Sequence, residues 1–287
     1  MEIDAKLVAD LRRTTGLPMM KCKQALVDAK GDIELAMENL RKGGLKAVEG
    51  VKDRALKEGL VYTHTEGSGA CALSVLCNTD FVARSDDLRA FGAMLVKHLY
   101  THAPADRGAG ESLRSMKLPT GETVDETITG MIQKTRENIA VGAFARFRPE
   151  KGHVFVYVHH NQRIASLIEL EGGNLAKAPP IAELGNELGM QVAFHADVKA
   201  LVREELDPAW VEKEREIFLA QAAEMPEERR GKIAEGKLNK RLGEVVLLEQ
   251  PFIKNDKETV RQHVDAVSKQ AGVPAKLKRF ARIGAGA

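Results

Sequence analysis

The side chains that could carry out chemistry are three cysteines, eight histidines and one acid that stands directly before an aromatic residue. The cysteines are Cys22, Cys71 and Cys77, an odd number without CxxC spacing, which indicates a reducing compartment and no disulfide framework. The histidines include His64, His102, His159, His160 and His195. A metal site would need further ligands at workable spacing, and the sequence supplies none. It therefore predicts no metal site and no cofactor.

Signatures of common enzymes are missing as well. The sequence contains no phosphate-binding GxxxxGK[ST], no HExxH zinc motif, no GxSxG nucleophile elbow and no Rossmann fingerprint. Hydrolysis by Asp80 and a histidine would need a third, orienting group, for which the sequence offers no candidate. We therefore expect a protein that is not an enzyme. A metal-dependent enzyme built on the histidines stays open as an alternative.

The acid and the aromatic lie in "CNTDFVARSDD" (77–87), where an alternating apolar run gives way to a helix-like segment. Thr79 or Asp80 can cap a short turn at "FVAR", and Ser85 can cap the helix that follows. The pattern alone favours a structural interpretation, in which Phe81 folds back into the protein's own core, because capping acids and buried phenylalanines are common. The other interpretation gives the pair a function.

Composition is that of a soluble globular protein: 44% of the residues are hydrophobic and 29% are charged. A net charge of +2 gives no strong electrostatic case for nucleic acid or for an anionic membrane. The start, "MEIDAKLVADL", lacks the apolar segment of a signal peptide. No apolar run approaches the roughly 20 residues that span a bilayer. We expect a cytoplasmic protein, and 287 residues are enough for more than one domain.

Residues 1–43 have the periodicity of three short helices. Asp4 and Asp32 stand where they can cap the first and the third helix. The second is marked by an apolar stripe of Met20, Cys22, Ala25, Leu26 and Ala29. Gly43-Gly44 predicts the end of the third helix, and a charged linker follows. This gives a small three-helix module with its linker over residues 1–52.

The next part of the chain contains a two-copy repeat. Residues 61–78 and 156–173 each resemble a β-hairpin, and an apolar-periodic helix follows each of them. Tyr62 and Tyr157 occupy matching places, so the period is near 95 residues. The segment "TDFVARS" follows the first hairpin only. We predict an α+β multidomain protein with a repeated core of two subdomains, 53–145 and 146–205.

A charged helical hairpin follows the second copy, over residues 206–243. Asp207-Pro208 is a strong helix start, because it combines an N-cap with a proline at the first helical position. Pro226 interrupts the pattern, which then resumes as a second helix. Two such helices have too little core of their own, so they must pack on something or project toward a partner. Residues 244–287 complete the second subdomain.

Three segments resemble signatures of the bacterial elongation factor Ts family. They are "LRRTTGLPMMKCKQALVDAKGDIELAMENLRKGGL" (11–45), "NTDFVAR" (78–84) and "EGKLNKRLGEVVLLEQPFI" (235–253), and they occur in the family's order. The resemblance covers almost the whole chain. It implies a ubiquitin-associated-like helical module, a two-subdomain α+β core and an inserted coiled-coil hairpin.

The resemblance also implies a function, guanine nucleotide exchange on the GTPase elongation factor Tu, without covalent chemistry. It places Thr79, Asp80, Phe81 and Val82 against the GTPase near its magnesium site. There the aromatic side chain wedges between partner side chains, and the bound metal is lost. A non-catalytic adaptor that uses the three-helix module and the hairpin stays open as the alternative.

Further contacts follow from the same resemblance. Met19, Met20 and Lys23 match a motif that docks on the nucleotide-binding domain, and His160 resembles a histidine that faces the partner. Gln250-Pro251-Phe252 matches a third motif, for which packing and contact are both open. We expect no direct contact with nucleic acid or membrane, and homodimerisation within a 2:2 complex stays open.

Two departures from the family pattern stand out. Lys21 takes the place of an acid within "LPMMKC", where family members often have A-G-M-M-D-C. In "KTRENI" (134–139), Thr135 and Arg136 replace the Ile-Gly of K-I-G-E-N-I.

Overall fold

The computed structural model describes residues 3–224 and 226–286. The fold mixes helices and sheets, as the sequence predicts. The main helices are α1 (Ala5–Thr15), α2 (Met19–Asp28), α3 (Ile33–Glu49), α4 (Asp80–Ala83), α5 (Asp86–His102), α6 (Val124–Thr135), α7 (Pro179–Phe194), α8 (Pro208–Gln221), α9 (Glu227–Val245) and α10 (Val260–Ala271). The strands are β1 (Glu58–Glu66), β2 (Gly69–Cys77), β3 (Arg107–Ala109), β4 (Ile139–Phe147), β5 (His153–Val158), β6 (Ile164–Glu171), β7 (Pro251–Phe252), β8 (Asn255–Thr259) and β9 (Lys276–Gly284).

Helices α1, α2 and α3 form a group at the N-terminal end of the described chain. Asp4 caps α1 by accepting a hydrogen bond from the Lys6 backbone N–H at 2.9 Å, and Asp32 caps α3 through the Leu35 N–H at 3.0 Å. Each cap satisfies a backbone donor that the first turn of a helix leaves free. The three helices bury a common apolar cluster of Val8, Leu11, Leu17, Cys22, Ala25, Leu26, Ala29 and Ala36.

Met20 does not belong to this cluster, so its place in the predicted apolar stripe of α2 is wrong. Its side chain is 72% exposed, whereas Cys22, Ala25 and Leu26 are buried. The reason is helical geometry: each residue advances about 100° around the axis, so Met20 lies on the side of α2 opposite to these residues. Met20 is therefore available for contact with another molecule.

The prediction that Gly43-Gly44 ends the third helix is also wrong, because α3 continues to Glu49. Gly44 lies against α6, where a Cβ atom would come within 2.6 Å of Gln133 Nε2 and 2.8 Å of Thr129 Cγ2. Gln133 donates a hydrogen bond from Nε2 to the Leu40 carbonyl of α3. The glycine allows the two helices to approach closely, so the N-terminal group is docked on α6.

The core consists of two antiparallel sheets that pack face to face. The first has the strand order β1-β2-β4-β3, and the second has the order β5-β6-β9. Two backbone hydrogen bonds join the sheets at their margins, from Val61 N–H to the Gln162 carbonyl and from Val154 N–H to the Ser68 carbonyl, both 2.8 Å. Small residues fill much of the interface between the inner faces: Ala70, Ala72, Ala145, Ala165, Ala281 and Ala285.

Helices cover the two outer faces of this core. α5 and α6 pack on the first sheet, and α7 and α10 pack on the second. The tyrosines at matching places in the two sequence repeats make similar contacts. The Tyr62 ring lies against Gly92 of α5, and Tyr157 lies against Gly189 of α7. Each helix thus approaches its hairpin closely at a glycine.

Helices α8 and α9 pack against each other as a helical hairpin. Asp207 caps α8 by accepting from the Ala209 N–H at 2.9 Å, and Pro208 is its first helical residue. Arg203 holds the base of the hairpin through an ion pair with Glu249 and a hydrogen bond from Nη1 to Asn239 Oδ1, 2.8 Å. Within residues 3–224 and 226–286, no helix combines the length and apolar character that crossing a membrane requires.

Candidate functional site

A single exposed helical turn, α4, lies between β2 and α5. Phe81 on this turn is 83% exposed, so the interpretation in which it folds into the protein's own core is wrong. Asp80 beside it is exposed too, and its carboxylate makes no hydrogen bond or ion pair with any part of the chain that the structure describes. An acid and an aromatic therefore project together into solvent.

The local sequence explains why this turn forms. Thr79 Oγ1 accepts a hydrogen bond from the Val82 N–H at 3.4 Å, which caps α4. Ser85 Oγ accepts from the Leu88 N–H at 3.4 Å, which caps α5, and donates to the Val82 carbonyl at 2.8 Å. Val82 is half-buried against the core. The caps and the inward side chain leave Phe81 on the outer side of the turn.

Glu137 holds the residue that begins the turn, and sequence reasoning missed it. One carboxylate oxygen accepts from the Thr79 backbone N–H at 3.1 Å, and the other accepts from the Thr79 hydroxyl at 2.6 Å. Glu137 is 58 positions away in the sequence, between α6 and β4. The available signal was the "ENI" of residues 137–139, which keeps the family pattern next to the replaced Thr135 and Arg136.

Two asparagines reinforce the same junction. The Asn138 backbone N–H donates to Asn78 Oδ1 at 2.7 Å, and Asn78 Nδ2 donates to the Ala55 carbonyl at 2.7 Å. Asn138 Nδ2 donates to the carbonyls of Lys52 and Arg54, both at 3.0 Å. The segment before β1, the end of β2 and the start of β4 are therefore bound together at the foot of α4.

The two departures from the family pattern lie next to each other at the end of α6. Arg136 has the left-handed conformation, with φ of 62°, where the family pattern has glycine. Lys21 donates from Nζ to the Gln133 carbonyl in the last turn of α6 at 2.9 Å, a favourable place for a cation. Partial burial, together with the charge of Arg136, lowers the pKa of Lys21. Lys21 thus helps to fix the N-terminal group on the core.

The cysteines are unsuited to nucleophilic or metal chemistry. All three are buried and free. Burial raises the pKa of Cys77 to about 11, with a further contribution from Glu137, and burial raises the pKa of Cys71 to about 12. Cys77 Sγ instead donates to the Thr79 carbonyl at 3.1 Å. Across the described residues, no three histidine, cysteine, aspartate or glutamate side chains are grouped so that they could hold a metal ion.

The residues predicted for docking are all exposed. Met19, which is 52% exposed, and Met20 and Lys23 lie on α2. His160 lies in the turn between β5 and β6, where its ring is 4.2 Å from that of His159. The same turn bonds to β1 through the Gln162 carbonyl. The structure thus connects α2 to the foot of α4 through the segment 133–137, and connects the His160 turn to the first sheet.

The third motif has a packing role at two of its three positions. Gln250 is buried and accepts from Gln191 Nε2 at 3.0 Å. Phe252 is buried and stacks on the His263 ring at 3.8 Å between centroids. Pro251 between them is exposed. These two buried residues help to join α7 and α10.

Comparison with known proteins adds an independent finding. The family model described as "Elongation factor TS" matches residues 78–287. A protein named elongation factor Ts from Clostridium botulinum (strain Eklund 17B / Type B) is 38% identical over 98% of this chain and 92% of its own length. Its namesake from Syntrophotalea carbinolica is 39% identical over the same shares, and that from Desulfovibrio desulfuricans is 37% identical over 98% of this chain and 97% of its own.

Proposed function

Because this chain belongs to the elongation factor Ts family, we propose that it exchanges guanine nucleotides on elongation factor Tu through the exposed turn Thr79–Val82. It is a translation elongation factor that acts as the nucleotide exchange factor for this GTPase. Such a factor needs no covalent step, since it only has to bind the GTPase more tightly when the nucleotide is absent.

The observation that carries the proposal is the exposure of Phe81. A phenylalanine that is 83% exposed leaves almost its whole ring in water. Fully burying an aromatic of about 150–250 Å² at roughly 25 cal/mol per Å² contributes a few kcal/mol as an upper estimate. In this proposal the ring is buried between side chains of the GTPase near the magnesium site.

This burial can be converted into nucleotide release. In this proposal the Phe81 ring can be buried only when the GTPase takes a conformation that binds nucleotide poorly. The free energy of burying the ring then couples binding of the exchange factor to release of the nucleotide. Each ~1.4 kcal/mol of such coupling weakens nucleotide binding about tenfold. The coupling is reciprocal, so GTP must in turn displace the exchange factor.

We assign Asp80 to the polar network around the metal. Its carboxylate is exposed and makes no hydrogen bond or ion pair among the residues that the structure describes. It is therefore free to form new polar contacts when Phe81 enters the GTPase. Disturbing the magnesium site removes a charge that neutralises the nucleotide phosphates, which weakens GDP binding further.

The remaining docking residues complete the proposed interface. Met19, Met20 and Lys23 of α2 would bind the nucleotide-binding domain, and His160 would face another part of the GTPase. Their exposure supports this assignment. The proposed complex lies in the cytoplasm and involves no direct contact with nucleic acid, and two copies of each protein in one complex remain an outcome to test.

The finer architecture is part of the proposal. The three-helix group corresponds to a ubiquitin-associated-like module over residues 1–52, with core subdomains over 53–145 and 146–205. The coiled-coil hairpin occupies 206–243, and 244–287 completes the second subdomain. The separate buried cluster of the first group and the similar glycine contacts of Tyr62 and Tyr157 support this division.

Release of fluorescent GDP from elongation factor Tu tests the proposal. We expect the wild-type protein to accelerate release and Phe81→Ala to lose at least about tenfold of that acceleration, on the burial estimate above. Phe194→Ala is a matched control, because Phe194 is also a highly exposed phenylalanine, at 72%. Equal losses in the two variants would refute a specific role for Phe81. If the wild-type protein does not accelerate release, the exchange function is wrong and an adaptor role is favoured.

A further inference from the structure

We propose that Glu137 is a positioning residue for nucleotide exchange, because its carboxylate holds Thr79 and thereby fixes the orientation of Phe81. This inference rests on the proposed function of the Thr79–Val82 turn. Glu137 itself lies at the foot of that turn, and its role is to act through Phe81.

The contacts form a chain from Glu137 to the exposed turn. Both oxygens of the carboxylate accept hydrogen bonds from Thr79, at 3.1 Å from the backbone N–H and 2.6 Å from the hydroxyl. Thr79 Oγ1 in turn accepts from the Val82 N–H at 3.4 Å. Hydrogen bonds to an ionised acceptor are roughly twice as strong as those between neutral groups. The backbone and the side chain of Thr79 are therefore both fixed by one residue.

The turn needs such support because it is too short to hold its own shape. α4 has only four residues, and a single helical turn does not form stably without outside contacts. Phe81 adds little packing, since the residue is 83% exposed. Ser85 and the half-buried Val82 fix the second half of the turn. Glu137 fixes the first half, immediately before Asp80.

Glu137 is well placed to hold Thr79, because the neighbouring residues that the structure describes do not compete for its carboxylate. Its backbone N–H donates to Thr135 Oγ1 at 3.3 Å, and the next residue, Asn138, is bound to Asn78. Within the described ranges, no lysine, arginine or histidine forms an ion pair with Glu137. A turn that is already ordered in the free protein loses less conformational entropy when it binds. Loss of the Glu137–Thr79 hydrogen bonds should therefore slow exchange.

A double-mutant comparison separates positioning from plain stability. We expect Glu137→Ala to lower the acceleration of GDP release about tenfold, because two charge-assisted hydrogen bonds are lost. In the Phe81→Ala background the same change should have a much smaller effect, since the oriented ring is already absent and only Asp80 is left to position. Glu137→Gln keeps the size and one acceptor oxygen, and it should recover part of the wild-type rate.

Two further variants separate loss of the Glu137–Thr79 contact from a general loss of stability. Thr79→Val removes the hydroxyl but keeps the side-chain shape, and it should reproduce part of the Glu137→Ala defect. Glu249→Gln weakens the ion pair with Arg203 at the base of the hairpin and should leave the rate unchanged. Amide hydrogen exchange of the free protein should rise at Thr79 in Glu137→Ala, but not in Glu249→Gln.

The possible results have distinct meanings. Wild-type acceleration that Glu137→Ala leaves intact would overturn this inference alone. Effects of Glu137→Ala and Phe81→Ala that multiply would also overturn it, because Glu137 would then act independently of the ring. A wild-type protein that does not accelerate release would overturn the proposed function and this inference together.

Discussion

Replacing Gly44 by alanine should loosen the docking of the N-terminal helices on the core, whereas the same change at Gly43 should not. The two glycines are adjacent in α3, so both substitutions raise helix propensity by about 1 kcal/mol. They differ in what the new methyl group meets. At Gly43 the nearest atom is Gln133 Nε2 at 3.9 Å, which is ordinary contact, whereas at Gly44 it is the same atom at 2.6 Å.

The magnitude follows from this difference. Carbon contacts are favourable at about 3.5–4.0 Å, so a methyl group at Gly44 overlaps both Gln133 and Thr129 by roughly 1 Å. The overlap is relieved only if the buried side chain of Gln133 moves away and breaks its hydrogen bond to the Leu40 carbonyl. Overpacking costs about 1–3 kcal/mol, and a buried hydrogen bond contributes about 1 kcal/mol. We expect Gly44→Ala to be about 2–4 kcal/mol less stable than Gly43→Ala.

Urea denaturation of the two variants measures this difference directly. Limited proteolysis of the segment after α3 should also cut Gly44→Ala faster, because the docked helices separate from α6 more often. Binding to elongation factor Tu should weaken in the same variant if Met19 and Met20 must stand at a fixed distance from Phe81. Equal stability of the two variants would refute the argument that Gly44 is required for close approach of α3 and α6.

Three further results are expected. Arg136→Gly should raise the free energy of unfolding by about 0.5–1 kcal/mol, because glycine adopts the left-handed φ of 62° without strain; a loss in urea denaturation would contradict this. Stability should fall as the pH rises from about 9 to 11, because the folded protein keeps the Cys71 and Cys77 protons that the unfolded chain releases. Between pH 9 and 11 the free energy of unfolding of Cys71→Ala should fall by on the order of 2 kcal/mol less than that of the wild-type protein. Parallel pH curves for the two proteins would show that the Cys71 thiol does not contribute. At pH 7 the native thiols should resist Ellman's reagent until the protein is denatured, and rapid labelling would contradict their burial.

Local features of the fold were predictable because their causes are local. Asp4, Asp32 and Asp207 cap helices as the sequence predicts, since an N-cap and its backbone donor lie within three residues of each other. Thr79 and Ser85 do the same around the exposed turn. The alternation of apolar residues also predicted both hairpins.

One wrong prediction, the end of the third helix at Gly43-Gly44, depends on a contact between distant segments. A glycine pair that ends a helix and one that admits a neighbouring helix look alike in sequence, and only the position of α6 decides between them at Gly44. Phe81 is different, because its exposure depends on its neighbours Val82 and Ala83, which take the inward places on a single turn. The family resemblance, not the apolar pattern, indicated that Phe81 faces outward.

In the candidate site, too, only part of the structure could be predicted from the sequence. The exposed turn could be found from sequence, but its attachment to Glu137 could not, because the two segments are 58 positions apart. The retained "ENI" (137–139) was a usable signal beside two replaced residues.

The alanine-lined interface between the two sheets has a consequence for how the molecule can be divided. Alanines such as Ala72, Ala145 and Ala165 bring the sheets close, and each sheet covers the inner face of the other. Neither half could be produced alone without exposing a flat apolar surface and unpaired strand margins, which favours aggregation. The two sheets therefore form one folding unit, and insertions and fusions should be better tolerated in solvent-exposed loops than between the sheets.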